Sequence, residues 1–172
     1  MTIEPDGKDW TWVLERPCPE CGFDTAAVDR SQVGALLREN AASWGSVLAR
    51  PDARTRPDAG VWSPLEYACH VRDVLHLYDE RLHLMLDQDD PLYANWDQDA
   101  AAVAGRYDAQ APEQVAAQVV TAGERVARAF DDLTPEQWDR RGRRSDGASF
   151  TVDTFARYFL HDLVHHRDDV RG

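Results

Sequence analysis

Lysine is almost absent from the sequence, and acidic residues outnumber basic ones by 31 to 19. Lys8 is the one lysine among 172 residues, and most arginines are interspersed with acidic residues. The formal net charge is −12 at pH 7. Because proteins bind phosphate backbones through clustered lysine and arginine, nucleic acid is not an expected partner.

Long apolar runs and a disulfide framework are also missing. No run approaches the roughly 18 apolar residues of a membrane-spanning helix. Residues 1–6 lack the basic and apolar regions of a signal peptide. Three cysteines are too few, and odd in number, for a disulfide scaffold. These absences predict a cytoplasmic protein with no membrane partner, and 43% hydrophobic residues are enough for the core of one domain.

Helix-start signals open long amphipathic segments. The clearest is Ser63-Pro64-Leu65-Glu66, which combines a capping serine, a proline at the first helical position and a glutamate at the third. No segment of useful length alternates like a strand. The predicted long helices span residues 29–48 and 63–86, and two more begin at residues 112 and 151. We expect a short helix within 95–106 and a loop at 140–149. The fold class is therefore all-α, a four-helix bundle.

The region before the first helix is predicted to be an irregular N-terminal arm, residues 1–28, followed by the bundle, residues 29–172. The arm contains Cys18-Pro19-Glu20-Cys21-Gly22, the knuckle form that supplies two thiolates to a zinc ribbon. A closed zinc site needs four ligands, and no second Cys-x2-Cys follows. A free or structural dithiol is the preferred interpretation, with a redox pair or an incomplete metal site as alternatives.

The histidines are concentrated in two places, on the second and the last predicted helix. His161 and His165 are four residues apart, the spacing at which one helix face supplies two nitrogen ligands to a metal. His70 lies one turn after Glu66, close to the buried face of the second helix. His70, His161 and His165 could thus form a three-nitrogen site with an open position. The alternative is that they are surface or hydrogen-bonded core histidines.

Trp62-Ser63-Pro64 leading to His70, together with the terminal His161-x3-His165, resembles the DinB-like superfamily. That group includes the mycothiol-dependent maleylpyruvate isomerase and bacillithiol S-transferase families. The resemblance covers about residues 29–170. It implies a four-helix bundle of up-down-down-up topology, a possible homodimer, and a divalent metal, zinc or nickel above others, on His70, His161 and His165. His166 points about 100° away on an ideal helix and is left out of this set.

The resemblance also implies a reaction. In that hypothesis the chain is a metal-dependent thiol S-transferase, in which the metal activates a low-molecular-weight thiol, with mycothiol favoured, for attack on an electrophilic small molecule. Arg157 and Tyr158 are the candidate catalytic residues that orient the electrophile. The alternatives are a hydrolase that uses metal-bound hydroxide, and a non-catalytic, stress-related metal-binding module.

Overall fold

A computed structural model describes residues 10–170 and confirms the all-α bundle. Its four long helices are α1 (Val33–Leu48), α2 (Pro64–Asp87), α4 (Pro112–Asp131) and α5 (Val152–Asp169), and α3 (Gln98–Ala104) is short. Within residues 10–170, no helix is long and apolar enough to cross a membrane.

The helix starts follow the local chemistry of the sequence. Ser63 Oγ accepts the backbone N–H of Glu66, and the Glu66 carboxylate in turn accepts the backbone N–H of Ser63 at 2.8 Å. Thr151 and Thr154 form the same reciprocal arrangement at the start of α5. These contacts satisfy backbone donors that the first turn of a helix leaves unpaired, and they set where α2 and α5 begin.

Side-chain contacts define the direction of each long helix. Two pairs, Arg38 with Glu124 and Gly34 with Asp131, make α1 and α4 antiparallel. The contacts of Asn40 with Leu163 and of Ser43 with Arg167 make α1 and α5 parallel. Helices α2 and α4 are parallel, since the pairs are Arg72 with Gln118 and Asp79 with Arg125. Thus α1 and α5 run one way and α2 and α4 the other, which is the predicted up-down-down-up topology.

The prediction that residues 140–149 form a loop is wrong. A small sheet joins β1 (Leu92–Tyr93), β2 (Arg141–Arg144) and β3 (Ser149–Thr151), with β2 parallel to β1 and antiparallel to β3. Gly142 allows β2 to lie against α2, because a Cβ there would be 2.7 Å from Met85. The strands are too short for an alternating pattern to indicate them. The sheet packs against the C-terminal end of α2, where Gly142 lies next to Met85.

The N-terminal arm is described from residue 10, so the first part of the segment predicted as irregular lies outside the described residues. Residues 10–28 contain two 3₁₀ turns, Thr11–Leu14 and Thr25–Ala27, and neither α-helix nor strand. Arg157 on α5 donates to the carbonyl of Thr25 at 2.8 Å, so this part of the arm lies against the last helix.

Candidate metal centre

Aromatic packing sets the rotation of α5 about its own axis. Phe155 and Phe159 stack on Tyr78 of α2, with ring centroids 4.6 Å and 4.1 Å away. On a helix with 3.6 residues per turn, the next positions on that stripe are Asp162 and His166. α5 therefore presents Asp162 and His166 to α2, and it presents the neighbouring pair, His161 and His165, about 100° around the helix.

The first cluster, here called the bundle cluster, consists of His70, Asp162 and His166. Their ligand atoms all lie within 4.8 Å of one another. The rings of His70 and His166 meet edge to face at 4.7 Å. His70 is only 2% exposed, and neither of its ring nitrogens has a hydrogen-bond partner among residues 10–170. A buried imidazole without partners is costly unless a ligand satisfies it, so this cluster fits a cation.

The charges of the bundle cluster agree with that interpretation. Burial, together with the charge of His166, lowers the pKa of His70 to about 3, so this imidazole is neutral and available as a ligand. Burial also lowers the pKa of His166, but ion pairs with Asp162 and Asp169 outweigh it and raise that pKa to about 9. The His166 partner in turn overcomes the effect of burial on Asp162 and lowers its pKa to about 2. The cluster thus holds a cation–carboxylate pair, in which a metal ion would replace the proton of His166.

Two tryptophans enclose His70. The ring of Trp96 stacks on the His70 ring, with centroids 5.5 Å apart. The ring of Trp62, which precedes the start of α2, has its centroid 5.2 Å from that of His70. These rings restrict water around the buried imidazole and fix its plane. Two imidazoles and one carboxylate are a nitrogen–oxygen donor set suited to zinc or nickel. Three protein ligands leave positions open for a substrate, as catalytic metal sites require.

The second cluster, here called the arm cluster, consists of Cys18, Cys21, His161 and His165. Its four ligand atoms also lie within 4.8 Å of one another. Cys18 Sγ is 3.8 Å from His165 Nδ1. Burial, and secondarily His165, lowers the pKa of His161 to about 4, and burial raises the pKa of the Cys21 thiol to about 11.

The three histidines predicted as one ligand set are divided between these clusters. His161 and His165 lie with the two cysteines, whereas His70 lies with Asp162 and His166. The angle of about 100° between the two α5 pairs is as expected. The structure differs from the expectation in which pair faces α2, because Asp162 and His166 do so instead of His161 and His165. The stacking of Phe155 and Phe159 on Tyr78 decides this, and that tertiary contact has no sequence signal of its own.

The two predicted catalytic residues have different surroundings. Arg157 does not line the cavity next to the histidines. It pairs with Asp153 at 3.1 Å and donates to the carbonyls of Thr25 and Ala26, so it anchors the arm. Tyr158 does line the cavity, where its hydroxyl is 3.5 Å from Arg144 Nη1. Burial raises the pKa of Tyr158, so its hydroxyl is protonated at neutral pH.

The cavity next to both clusters has a volume of about 920 Å³. It is lined by two arginines, Arg81 and Arg144, that were not predicted as site residues from the sequence. Arg81 lies on the same stripe of α2 as His70 and Tyr78, and it donates to the Ala94 carbonyl at 2.8 Å. Arg144 lies on β2 and pairs with Asp146 at 2.8 Å. Helical spacing from His70 could have identified Arg81. Arg144 could not be found in this way, because it reaches the cavity through the missed sheet.

The chain was compared with curated proteins, solved structures and family models, and no curated protein matches it. The solved structure of YfiT from Bacillus subtilis, described as a probable metal-dependent hydrolase with an unusual four-helix bundle topology, superposes with a TM-score of 0.69. The alignment covers 97% of this chain and 89% of YfiT, at 16% sequence identity. At that identity the likeness concerns the fold.

The sequence itself matches a family model over residues 46–170, which include α2, α5 and all members of the bundle cluster. The matched segment excludes the arm and most of α1. The chain belongs to the DinB superfamily.

Proposed function

We propose that the chain is a metal-dependent enzyme that transfers a low-molecular-weight thiol to an electrophilic small molecule. The metal ligands in this proposal are His70, Asp162 and His166 rather than the three histidines predicted from sequence. The single observation that supports it most is the buried His70 imidazole without hydrogen-bond partners, which faces a carboxylate and a second imidazole at the wall of a cavity.

The metal, when bound, supplies Lewis acidity that stabilises a thiolate over a thiol at neutral pH. His70 is already neutral and buried, so it needs no proton loss to act as a ligand. To act as a ligand, His166 would release the Nε2 proton to solvent, while Asp169, 3.0 Å from Nδ1, would accept the hydrogen bond from the other side of the ring. A carboxylate in that position orients a ligand imidazole and raises its basicity.

The cavity supports a reaction between two substrates. Its volume of about 920 Å³ is near the upper end of the usual range for small-molecule pockets, which leaves room for a thiol and its acceptor together. Arg81 and Arg144 place two cationic groups on the cavity wall, suited to a carboxylate on the acceptor. Tyr158, beside Arg144, can donate its proton to an acceptor oxygen.

The transfer itself is a substitution or addition at carbon; in a substitution the leaving group departs with its bonding pair, and in an addition the π electron pair of the acceptor takes up a proton. The thiol sulfur forms the new bond to the electrophilic carbon, and the thiol proton passes to solvent. In monochlorobimane the displaced chloride leaves with the bonding pair. Mycothiol is the favoured thiol, and glutathione and bacillithiol are the comparison thiols.

A second candidate is hydrolysis of an ester or amide at the same metal. The observation that favours it is the fold shared with YfiT, which is described as a probable metal-dependent hydrolase. The residues of the bundle cluster would hold the ion in the same way, and Arg144 would bind the substrate.

One experiment separates the two. The zinc- or nickel-loaded protein is incubated with monochlorobimane and each of the three thiols, and separately with ester and amide substrates without thiol. Thiol-dependent conjugation that is lost in His166→Ala and kept in His76→Ala, an exposed histidine of α2, is the expected result. Thiol-independent turnover of an ester with the same mutant pattern would replace the transferase by the hydrolase, and no turnover in either assay would contradict both.

A further inference from the structure

The arm cluster brings together residues from opposite ends of the described chain. Cys18 and Cys21 come from the arm and His161 and His165 from α5, so that 147 positions separate Cys18 from His165. All three cysteines of the chain are free thiols. Neither the bundle cluster nor the proposed reaction requires these four side chains.

Cys18 and Cys21 lie in a tight hydrogen-bonded turn. Cys18 N–H donates to the Phe23 carbonyl at 3.0 Å, and Gly22 N–H donates to the Cys18 carbonyl at 2.8 Å. Gly22 has a φ of +72°, a left-handed conformation that glycine adopts without strain. The turn closes right after Cys21 and holds the two sulfurs close together.

The histidine pair is enclosed and incompletely satisfied. His161 is 3% exposed, and its Nε2 has no hydrogen-bond partner within residues 10–170. Trp10 covers both imidazoles, with ring centroids 5.6 Å from His161 and 4.9 Å from His165. His161 Nε2 is therefore buried without a donor or acceptor among the described residues, and a bound ligand would satisfy it.

An acidic residue of the cysteine turn orients the second imidazole. Glu20 Oε2 lies 3.5 Å from His165 Nε2, on the side of the ring opposite Nδ1, which is near Cys18 Sγ. A carboxylate beyond a ligand histidine is the usual outer contact of a zinc site. It favours the tautomer in which Nε2 carries the proton and Nδ1 is free to bind a cation.

We propose that Cys18, Cys21, His161 and His165 bind a structural zinc ion, separate from the ion of the bundle cluster. Two thiolates and two imidazoles are a closed tetrahedral donor set for zinc. With Zn–S about 2.3 Å and Zn–N about 2.0 Å, ligand atoms of such a tetrahedron are about 3.3–3.8 Å apart. The 3.8 Å between Cys18 Sγ and His165 Nδ1 agrees with that spacing.

A zinc ion at this site would cross-link the arm to α5, because two of its ligands come from each. Trp10 and Glu20, which flank the cluster, also line the large cavity. Zinc at the arm cluster therefore holds one wall of that cavity closed. Because all four protein positions are filled by side chains, this ion has no open position for a substrate.

Cobalt substitution tests the proposal. The full-length protein, stripped of metal under reducing conditions, is titrated with Co²⁺ alone. A thiolate-to-cobalt charge-transfer band is expected in the wild type. It should be lost in the double variant Cys18→Ser/Cys21→Ser and weakened in His161→Ala. It should persist in Cys69→Ala, which removes a buried cysteine of α2, and in His166→Ala, which removes a bundle-cluster ligand. Absence of the band in the wild type, or its persistence in the double variant Cys18→Ser/Cys21→Ser, would overturn the proposal.

A second measurement needs no variant and so does not depend on how the variants fold. Zinc-loaded wild type is titrated with an organomercurial in the presence of a colorimetric zinc indicator. The expected result is release of one equivalent of zinc as the first two thiols react. Reaction of those thiols without zinc release, as for a free or redox-active dithiol, contradicts the structural zinc.

Discussion

His166 meets His70 edge to face across the interface of α5 and α2, with ring centroids 4.7 Å apart. The same ring is bounded on its other sides by Asp162 and Asp169. His165, the preceding residue in the chain, lies instead against Cys18 and Glu20. Two consecutive histidines of one helix therefore belong to separate clusters.

Replacement of these two histidines should have different effects on catalysis. His166→Ala is expected to lower kcat/KM by more than about 100-fold, because even outer contacts of a metal ligand are worth 10–100-fold. His165→Ala should leave the metal dependence of the folded protein in place and lower its melting temperature. Both variants are measured at a temperature where each is folded by circular dichroism. Equal loss of activity in both would contradict the division.

Arg144 should select substrates that carry a carboxylate. Wild type is expected to prefer an electrophile with a carboxylate over its methyl ester, and Arg144→Gln should remove that preference by raising KM for the acid. A charge-assisted hydrogen bond of about 1.5–3 kcal/mol corresponds to a change of roughly 10- to 100-fold. Arg143→Gln serves as the control, since Arg143 is half-exposed and pairs with Asp90. A similar preference in Arg144→Gln and wild type would exclude this role.

Protonation of Glu66 at low pH should destabilise the start of α2. Burial raises the pKa of Glu66, but hydrogen bonds from Arg56 and Ser63 outweigh this and hold it below the ordinary 4.5. A lowered pKa in the folded state means that the carboxylate stabilises the fold above pH 4.5 and loses this contribution as the pH falls further.

Glu66→Gln should therefore reduce the free energy of unfolding by about 1–3 kcal/mol at pH 7, and the difference from wild type should shrink below pH 4.5. Urea unfolding at a series of pH values measures this. Glu80→Gln changes an exposed carboxylate of the same helix and should have little effect. A difference that does not depend on pH would show that Glu66 contributes through packing alone.

Two glycines test the close packing of α1 against α4. A Cβ on Gly123 of α4 would lie 2.5 Å from the Cβ of Ala41, so Gly123→Ala should destabilise the fold by about 1–3 kcal/mol. Gly45 of α1 has no atom within 4 Å of such a Cβ, and Gly45→Ala should be neutral or stabilise by up to about 1 kcal/mol. Urea unfolding of both variants gives the comparison; the same sign for both would refute it.

Local signals in the sequence account for much of the fold. The reciprocal cap of Ser63 and Glu66 and the cap at Thr151 place the starts of α2 and α5, because capping depends on residues a few positions apart. The sheet was not predicted, because its strands do not depend on residues a few positions apart. Strands of two to four residues, such as Leu92–Tyr93, are stabilised by partners distant in sequence.

The candidate site shows the same limit. Spacing alone identifies two pairs on α5, His161 with His165 and Asp162 with His166, and either could face His70. The choice depends on how Phe159 packs against Tyr78. Likewise, the cysteine knuckle had no visible partner because its histidines lie at the other end of the chain.

Anomalous scattering at the zinc edge, from crystals grown with zinc, tests the division of the histidines most directly. We expect one peak bounded by His70, Asp162 and His166, and a second peak bounded by the four side chains of the arm cluster. A single peak ligated by His70, His161 and His165 would contradict it.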